Sequence, residues 1–212
     1  MTMRTIVFDL GGVLVQWRPL ELLRQVLPQR ARDEASAREV VAQIFQSHDP
    51  QADWLLFDLG HIEPAALATR IAARSGYGEH EVRAVIDAIP QHIQPLPASV
   101  ALVQRLHRAG VRLHYLSNMP APFADHLEAR HMLFEHFDGG VFSGRVGLLK
   151  PQAAMFDHAC ETLRLDLAHT LFIDDHAGNV EAACALGWQA LQFEHAAQCE
   201  AALVAQGWLP AT

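Results

Sequence analysis

Apolar residues fall into two patterns along this chain. Three short runs, residues 5–9 (Thr-Ile-Val-Phe-Asp), 111–117 (Val-Arg-Leu-His-Tyr-Leu-Ser) and 170–174 (Thr-Leu-Phe-Ile-Asp), are rich in β-branched and aromatic side chains and stop at a polar residue. Each reads as a parallel strand buried on both faces. Before, between and after the last two, apolar residues return at helical spacing over 98–109, stopped by Gly110, over 151–163, opened by Pro151, and over 177–186, closed by Gly187. Proline at a helix start and glycine just past its end mark such boundaries. An apolar segment, 189–193, follows. Strands alternating with helices predict an α/β fold, a doubly wound parallel sheet.

From about Trp17 to Ile93 the pattern is helical almost throughout, over 20–26, 35–45, 64–73 and 80–89, with no convincing strand. The turn-like Gln-Pro-Leu-Pro at 94–97 marks the return. The expected organisation is a catalytic core of residues 1–16 and 94–212 with a helical cap, 17–93, inserted after the first strand. A length of 212 residues accommodates one core with such an elaboration. With half of the residues hydrophobic, there is ample surface to bury.

The formal charge of −8, with basic residues scattered singly, leaves no stripe to displace counterions from a nucleic acid. No apolar run approaches the ~20 residues of a membrane span, and the first residues lead directly into a strand rather than a signal peptide. Three cysteines, Cys160, Cys184 and Cys199, without a C-x-x-C pair predict reduced, buried thiols in a cytoplasmic protein. The expected partner is a small molecule, and the expected assembly a monomer or weak homodimer.

In an open α/β sheet, ligands bind beyond the carboxyl ends of the strands, where Asp9, Ser117 and Asp174 stand. Each has an ordinary structural use alone: Asp9 as an Asx turn before Gly11 and Gly12, Asp174 or Asp175 as a helix cap, Ser117 and Asn118 as turn residues, Lys150 as a solvated charge. Together they are less easily explained. Asp9, Asp174 and Asp175 place about three negative charges in one crevice, which costs several kcal/mol unless a cation neutralises them. An oxygen-rich site open to water suits Mg²⁺.

Four segments in order, 8–14 (Phe-Asp-Leu-Gly-Gly-Val-Leu), 116–118 (Leu-Ser-Asn), 147–151 (Gly-Leu-Leu-Lys-Pro) and 172–179 (Phe-Ile-Asp-Asp-His-Ala-Gly-Asn), resemble the motifs of the haloacid dehalogenase-like superfamily over nearly the whole chain. Within it, Asp-Leu-Gly and the double Asp followed by Asn most resemble the glucose-1-phosphatase-type sugar-phosphate phosphatases. The resemblance implies a phosphatase in which Asp9 attacks phosphorus and forms an aspartyl-phosphate. It implies Mg²⁺ held by Asp9, the Gly11 carbonyl and Asp174, with Asp175 acting through water or from outside the first layer. Ser117 and the Asn118 N–H would hold phosphate oxygens, Lys150 would supply positive charge beside Asp9, and Asn179 would orient the acidic loop.

Gly11 departs from the pattern, because many phosphatases of this superfamily carry there a second Asp that protonates the leaving oxygen and later activates water. Its loss removes help worth about 10²–10⁴-fold. One expectation is a preference for good leaving groups such as anomeric sugar phosphates; another is assistance from His176, whose ordinary reading is an exposed loop residue. Trp17, Trp54 and Phe57 are candidates to shape the substrate pocket, although aromatic residues at helical spacing commonly form the core of the insertion. The alternatives are a 2-haloacid dehalogenase, for which an acidic pair at 174 and 175 is uncompensated repulsion, and a degenerate member that binds phosphate or a protein without turnover. A phosphoacceptor module would carry its acidic pair on the first strand, and the dinucleotide-binding glycine fingerprint is absent.

Overall fold

A computed structural model describes residues 4–46 and 52–210. Strand β1 (Thr5–Phe8) is followed by five helices, α1 (Pro19–Val26), α2 (Glu34–Phe45), α3 (Asp53–Asp58), α4 (Pro64–Ser75) and α5 (Glu79–His92). Then come α6 (Pro97–Arg108), β2 (Arg112–Ser117), α7 (Ala121–Arg130), β3 (Gly139–Phe142), α8 (Ser143–Val146), α9 (Ala153–Leu163), β4 (Thr170–Asp174), α10 (Ala177–Ala185), β5 (Gln189–Gln192) and α11 (Ala196–Ala205). The sheet is parallel throughout, in the order β3-β2-β1-β4-β5.

Side chains of β1 alternate between two apolar layers, as strands covered on both faces require. Ile6 and Phe8 pack with α6, α7 and α11 through Leu102, Leu106, Phe123 and Leu203, whereas Val7 packs with α9 and α10 through Phe156, Ala159 and Ala183. The first layer continues without a break into the helical insertion, taking in Leu23, Ile44, Phe57, Ile71 and Ile86. The outgoing and returning connections are paired: the Gln16 N–H donates to the Gln94 carbonyl at 2.8 Å and the Leu96 N–H to the Leu14 carbonyl at 2.8 Å.

Several sequence expectations need correction. Strand β3 lay hidden because Gly139-Gly140 reads as a turn; a Cβ at Gly140 would collide with the Tyr115 ring, so glycine is what lets β3 close on β2. Helix α9 starts two residues after Pro151, and α5 runs through Pro90, where only one N–H bond near the helix end is lost. Helix α3 is too short for a periodic signal. Cys199 is buried, but Cys184 is exposed; all three thiols are free. Among the described residues no helix is long and apolar enough to cross a membrane.

Candidate active site

The three central strands end together. Phe8 stands opposite Tyr115 on one side and Ile173 on the other, so the next residues bring Asp9, Ser117 and Asp174 to the same sheet edge. The Asp9 N–H donates to the Ile173 carbonyl at 2.8 Å, which holds Asp9 in line with the sheet beyond the last strand residue.

Asp174 is completely buried and accepts hydrogen bonds at both carboxylate oxygens. Its Oδ1 accepts from the His176 N–H at 2.8 Å and from Asn179 Nδ2 at 3.1 Å, and its Oδ2 accepts from Asn179 Nδ2 at 3.0 Å and from Lys150 Nζ at 2.6 Å. The same ammonium lies 2.9 Å from Asp9 Oδ1. Lys150, far from being a solvated lysine, is 4% exposed. Its backbone is clamped by Asn118, whose Oδ1 accepts from the Lys150 N–H and whose Nδ2 donates to the Lys150 carbonyl, both at 2.9 Å. The turn after β2 thereby fixes the lysine that bridges β1 and β4.

Carboxylate oxygens of Asp9, Asp174 and Asp175 lie within 4.8 Å of one another. Three carboxylates against one ammonium leave an excess of negative charge, and the titrations reflect it. Burial pushes Asp9 up to about 6, opposed by Lys150 and reinforced by Asp174 and Asp175. Burial and Asp174 also raise Asp175. For Lys150, burial alone would lower the ammonium, but the facing Asp9 and Asp174 carboxylates outweigh it and hold it above the ordinary lysine value.

Above this floor opens a cavity of about 350 Å³, lined at its base by Asp9, Gly11, Ser117, Asn118, Lys150 and Asn179. The walls are mainly apolar, with Trp17, Phe45, Trp54 and Phe123 beside Val15, Val41, Leu55, Ile89 and Ile93, and carry Gln46 and Asp58 among them. Edge-to-face contacts run from Trp17 to Phe45 (5.4 Å between ring centroids), Trp54 (4.6 Å), Phe57 (5.7 Å) and Phe123 (5.4 Å), tying the insertion to α7. Trp17 and Trp54 therefore face the cavity, while Phe57 is core at 1% exposure.

Sequence reasoning missed Asp58, the last residue of α3, which lines the cavity from the insertion and is half-buried. Burial pushes its carboxyl up to about 8, and no described residue donates to or pairs with it. No sequence signal marked it, because α3 itself is too short to show a helical period. Its backbone is pinned, the Asp58 carbonyl accepting from Ser143 Oγ at 2.6 Å, while that oxygen accepts from the Met119 N–H at 2.8 Å. His176, by contrast, has an exposed side chain.

Comparisons with known proteins agree on one lineage. Residues 3–187 match the model of the haloacid dehalogenase-like hydrolases. Over 186 residues the chain is 27% identical to the sesquiterpene phosphatase astK of Aspergillus oryzae, covering 88% of this chain and 87% of that one. A HAD-like family hydrolase from Porphyromonas gingivalis superposes with a TM-score of 0.71 at 25% identity, covering 95% of this chain and 98% of that one. A HAD family enzyme of Bacteroides thetaiotaomicron, solved with magnesium and inorganic phosphate, shares the fold with a TM-score of 0.69 at 20% identity, covering 91% and 95%.

Proposed function

The chain belongs to the haloacid dehalogenase-like hydrolase family, and on that premise we propose that it is a magnesium-dependent phosphatase acting on small phosphate monoesters whose alcohol portion is apolar. The observation that carries this reading is Lys150, buried between Asp9 and Asp174 at the floor of a cavity whose walls are mainly apolar, with Gln46 and Asp58 as their polar side chains among the described residues. A dianionic phosphate suits the floor and a hydrocarbon the walls. Most of a sugar's hydroxyls would face Val41, Phe45, Leu55 and Ile89, which offer no hydrogen-bonding partner. The similarity to a sesquiterpene phosphatase supports the apolar alternative over a glucose-1-phosphatase-type substrate.

The donor set fits the ion. Asp9, Asp174, Asp175 and the Gly11 carbonyl offer the hard oxygens that Mg²⁺ takes, and the uncompensated acidity among them is what a divalent cation relieves. When bound, the ion would neutralise charge on the phosphoryl oxygens. Asp9, ionised at neutral pH even when raised to about 6, attacks phosphorus in line and carries the phosphoryl group as an aspartyl-phosphate. Lys150 holds positive charge beside the transferring group, while Ser117 and the Asn118 N–H bind its oxygens. Asn179 keeps Asp174 oriented through both carboxylate oxygens. Residues 17–93 act as the cap that excludes water from the ester.

The test is phosphate release from esters of graded chain length, with Mg²⁺ or a chelator. Asp9→Asn is expected to lower turnover by about 10⁴-fold or more, and chelation to abolish it. Undiminished turnover by Asp9→Asn refutes the proposal, and halide release from 2-haloacids without metal establishes the dehalogenase instead.

A further inference from the structure

The nucleophile has no proton donor beside it on the first loop, since position 11 is glycine. A simple alkoxide is a poor leaving group, and an apolar alcohol offers no group of its own to protonate the departing oxygen. In-line displacement also fixes where that proton is needed: the leaving oxygen departs on the side of phosphorus opposite Asp9, away from the floor and toward the helical insertion. Among the described residues, the insertion contributes two polar side chains to the lining apart from the indoles, Gln46 and Asp58, and of these two Asp58 carries an acidic proton.

We infer that Asp58 is the proton donor to the leaving alkoxide, supplying from the helical insertion what position 11 lacks; this rests on the phosphatase reading above. As the Asp9 oxygen bonds to phosphorus, the ester P–O bond breaks with its electron pair going to the alkyl oxygen, which takes the proton from the Asp58 carboxyl. The alcohol leaves, and Asp58 remains as a carboxylate. That carboxylate then removes a proton from the water that attacks the aspartyl-phosphate; the bond from Asp9 to phosphorus breaks, inorganic phosphate is released, and both acids return to their starting states.

The surroundings of Asp58 suit both halves of the cycle. Burial pushes its carboxyl up to about 8, so it is protonated at neutral pH and close enough to neutrality to serve as a base afterwards. Charged groups on the elements packed against α3 are otherwise engaged: Arg70 and Arg74 on α4 with Asp53, Arg145 on α8 with Asp125 and Glu128, and Arg38 on α2 with Glu34. Glu39 on α2 is exposed. Across the cavity stand Asp9 and Lys150, the latter held by two carboxylates. The Ser143 hydroxyl on the Asp58 carbonyl keeps the end of α3 in fixed relation to the core.

The experiment compares an alkyl phosphate with p-nitrophenyl phosphate, whose phenolate leaves unprotonated, in wild type, Asp58→Asn and Asp58→Glu with Mg²⁺. Asp58→Asn is expected to lower the alkyl-to-aryl ratio of kcat/KM by about 10²-fold or more, with partial recovery in Asp58→Glu. In wild type that ratio should fall about tenfold per pH unit above the Asp58 titration, a readout that needs no variant to fold. Equal loss on both esters, a change in KM alone, or a ratio flat with pH overturns the assignment and leaves Asp58 a packing residue. If wild type hydrolyses neither ester, the phosphatase reading itself fails and this inference falls with it.

Discussion

A carboxyl kept protonated at neutral pH exacts a cost in stability that can be measured without any substrate. In the unfolded chain Asp58 titrates near 3.8, whereas in the fold burial pushes it up to about 8. Above pH 3.8 the unfolded chain has released the proton that the fold retains, so the folded state loses ground as pH rises until the folded carboxyl also ionises near 8. Its stability contribution is thus greatest at acid pH and declines through that window, the reverse of an ordinary ion-paired Asp. Between 3.8 and pH 7 lie about three units at about 1.4 kcal/mol each, or about 4 kcal/mol. Solvent reaching the half-buried carboxyl through the cavity screens part of this, leaving ~2 kcal/mol. Asp58→Asn, which has no proton to lose, is therefore expected to match wild type near pH 4 and exceed it by ~2 kcal/mol at pH 7, ~4–8 °C in Tm for a domain of this size. The difference should level off above about 8. Urea unfolding at a series of pH values measures it, and the other acids of the site cancel in the comparison. A difference that does not grow with pH, or a wild type more stable than the variant at pH 7, refutes the reasoning. A variant more stable but less active would show stability surrendered for chemistry.

Two further substitutions probe the floor of the site. Lys150→Met leaves Asp9 and Asp174 facing each other without their shared counter-charge and should cost ~3–5 kcal/mol in metal-free denaturation, part of it recovered on adding Mg²⁺; unchanged stability would mean that the ammonium is not the partner of these acids. At Gly11 a Cβ meets nothing within 4 Å, so Gly11→Asp should fold with stability within ~1 kcal/mol of wild type. In the Asp58→Asn background it should raise the alkyl-to-aryl ratio by about tenfold or more; no recovery would show that an acid at position 11 does not reach the leaving oxygen.

What could be read from sequence follows from how local each signal is. The central strands announce themselves because burial on both faces demands continuous apolar runs, and their polar endings mark the sheet edge where Asp9, Ser117 and Asp174 meet. Strand β3 was illegible because its fitness depends on a neighbour's ring: Gly140 is selected by Tyr115, 25 positions away in the pairing register. Asn118 was read for its backbone N–H, yet its side chain clamps Lys150, a contact across 32 positions that no spacing rule encodes. Asp58 escaped for the same reason, since its chemistry arises from the apolar walls assembled around it rather than from its neighbours in sequence.

The turn that follows Asp58 carries a consequence for sequence tolerance. Gly60 is exposed and in a left-handed conformation, and a Cβ there would strike the Gly144 carbonyl, with no side chain between α3 and α8 to yield. A methyl group at position 60 would wedge the end of α3 away from Ser143 and carry the Asp58 carboxyl with it. In a library selected for turnover, this surface position would behave like an active-site residue, intolerant of even alanine although it touches no substrate. Exposure alone would then be a misleading guide to which variants of this chain are benign.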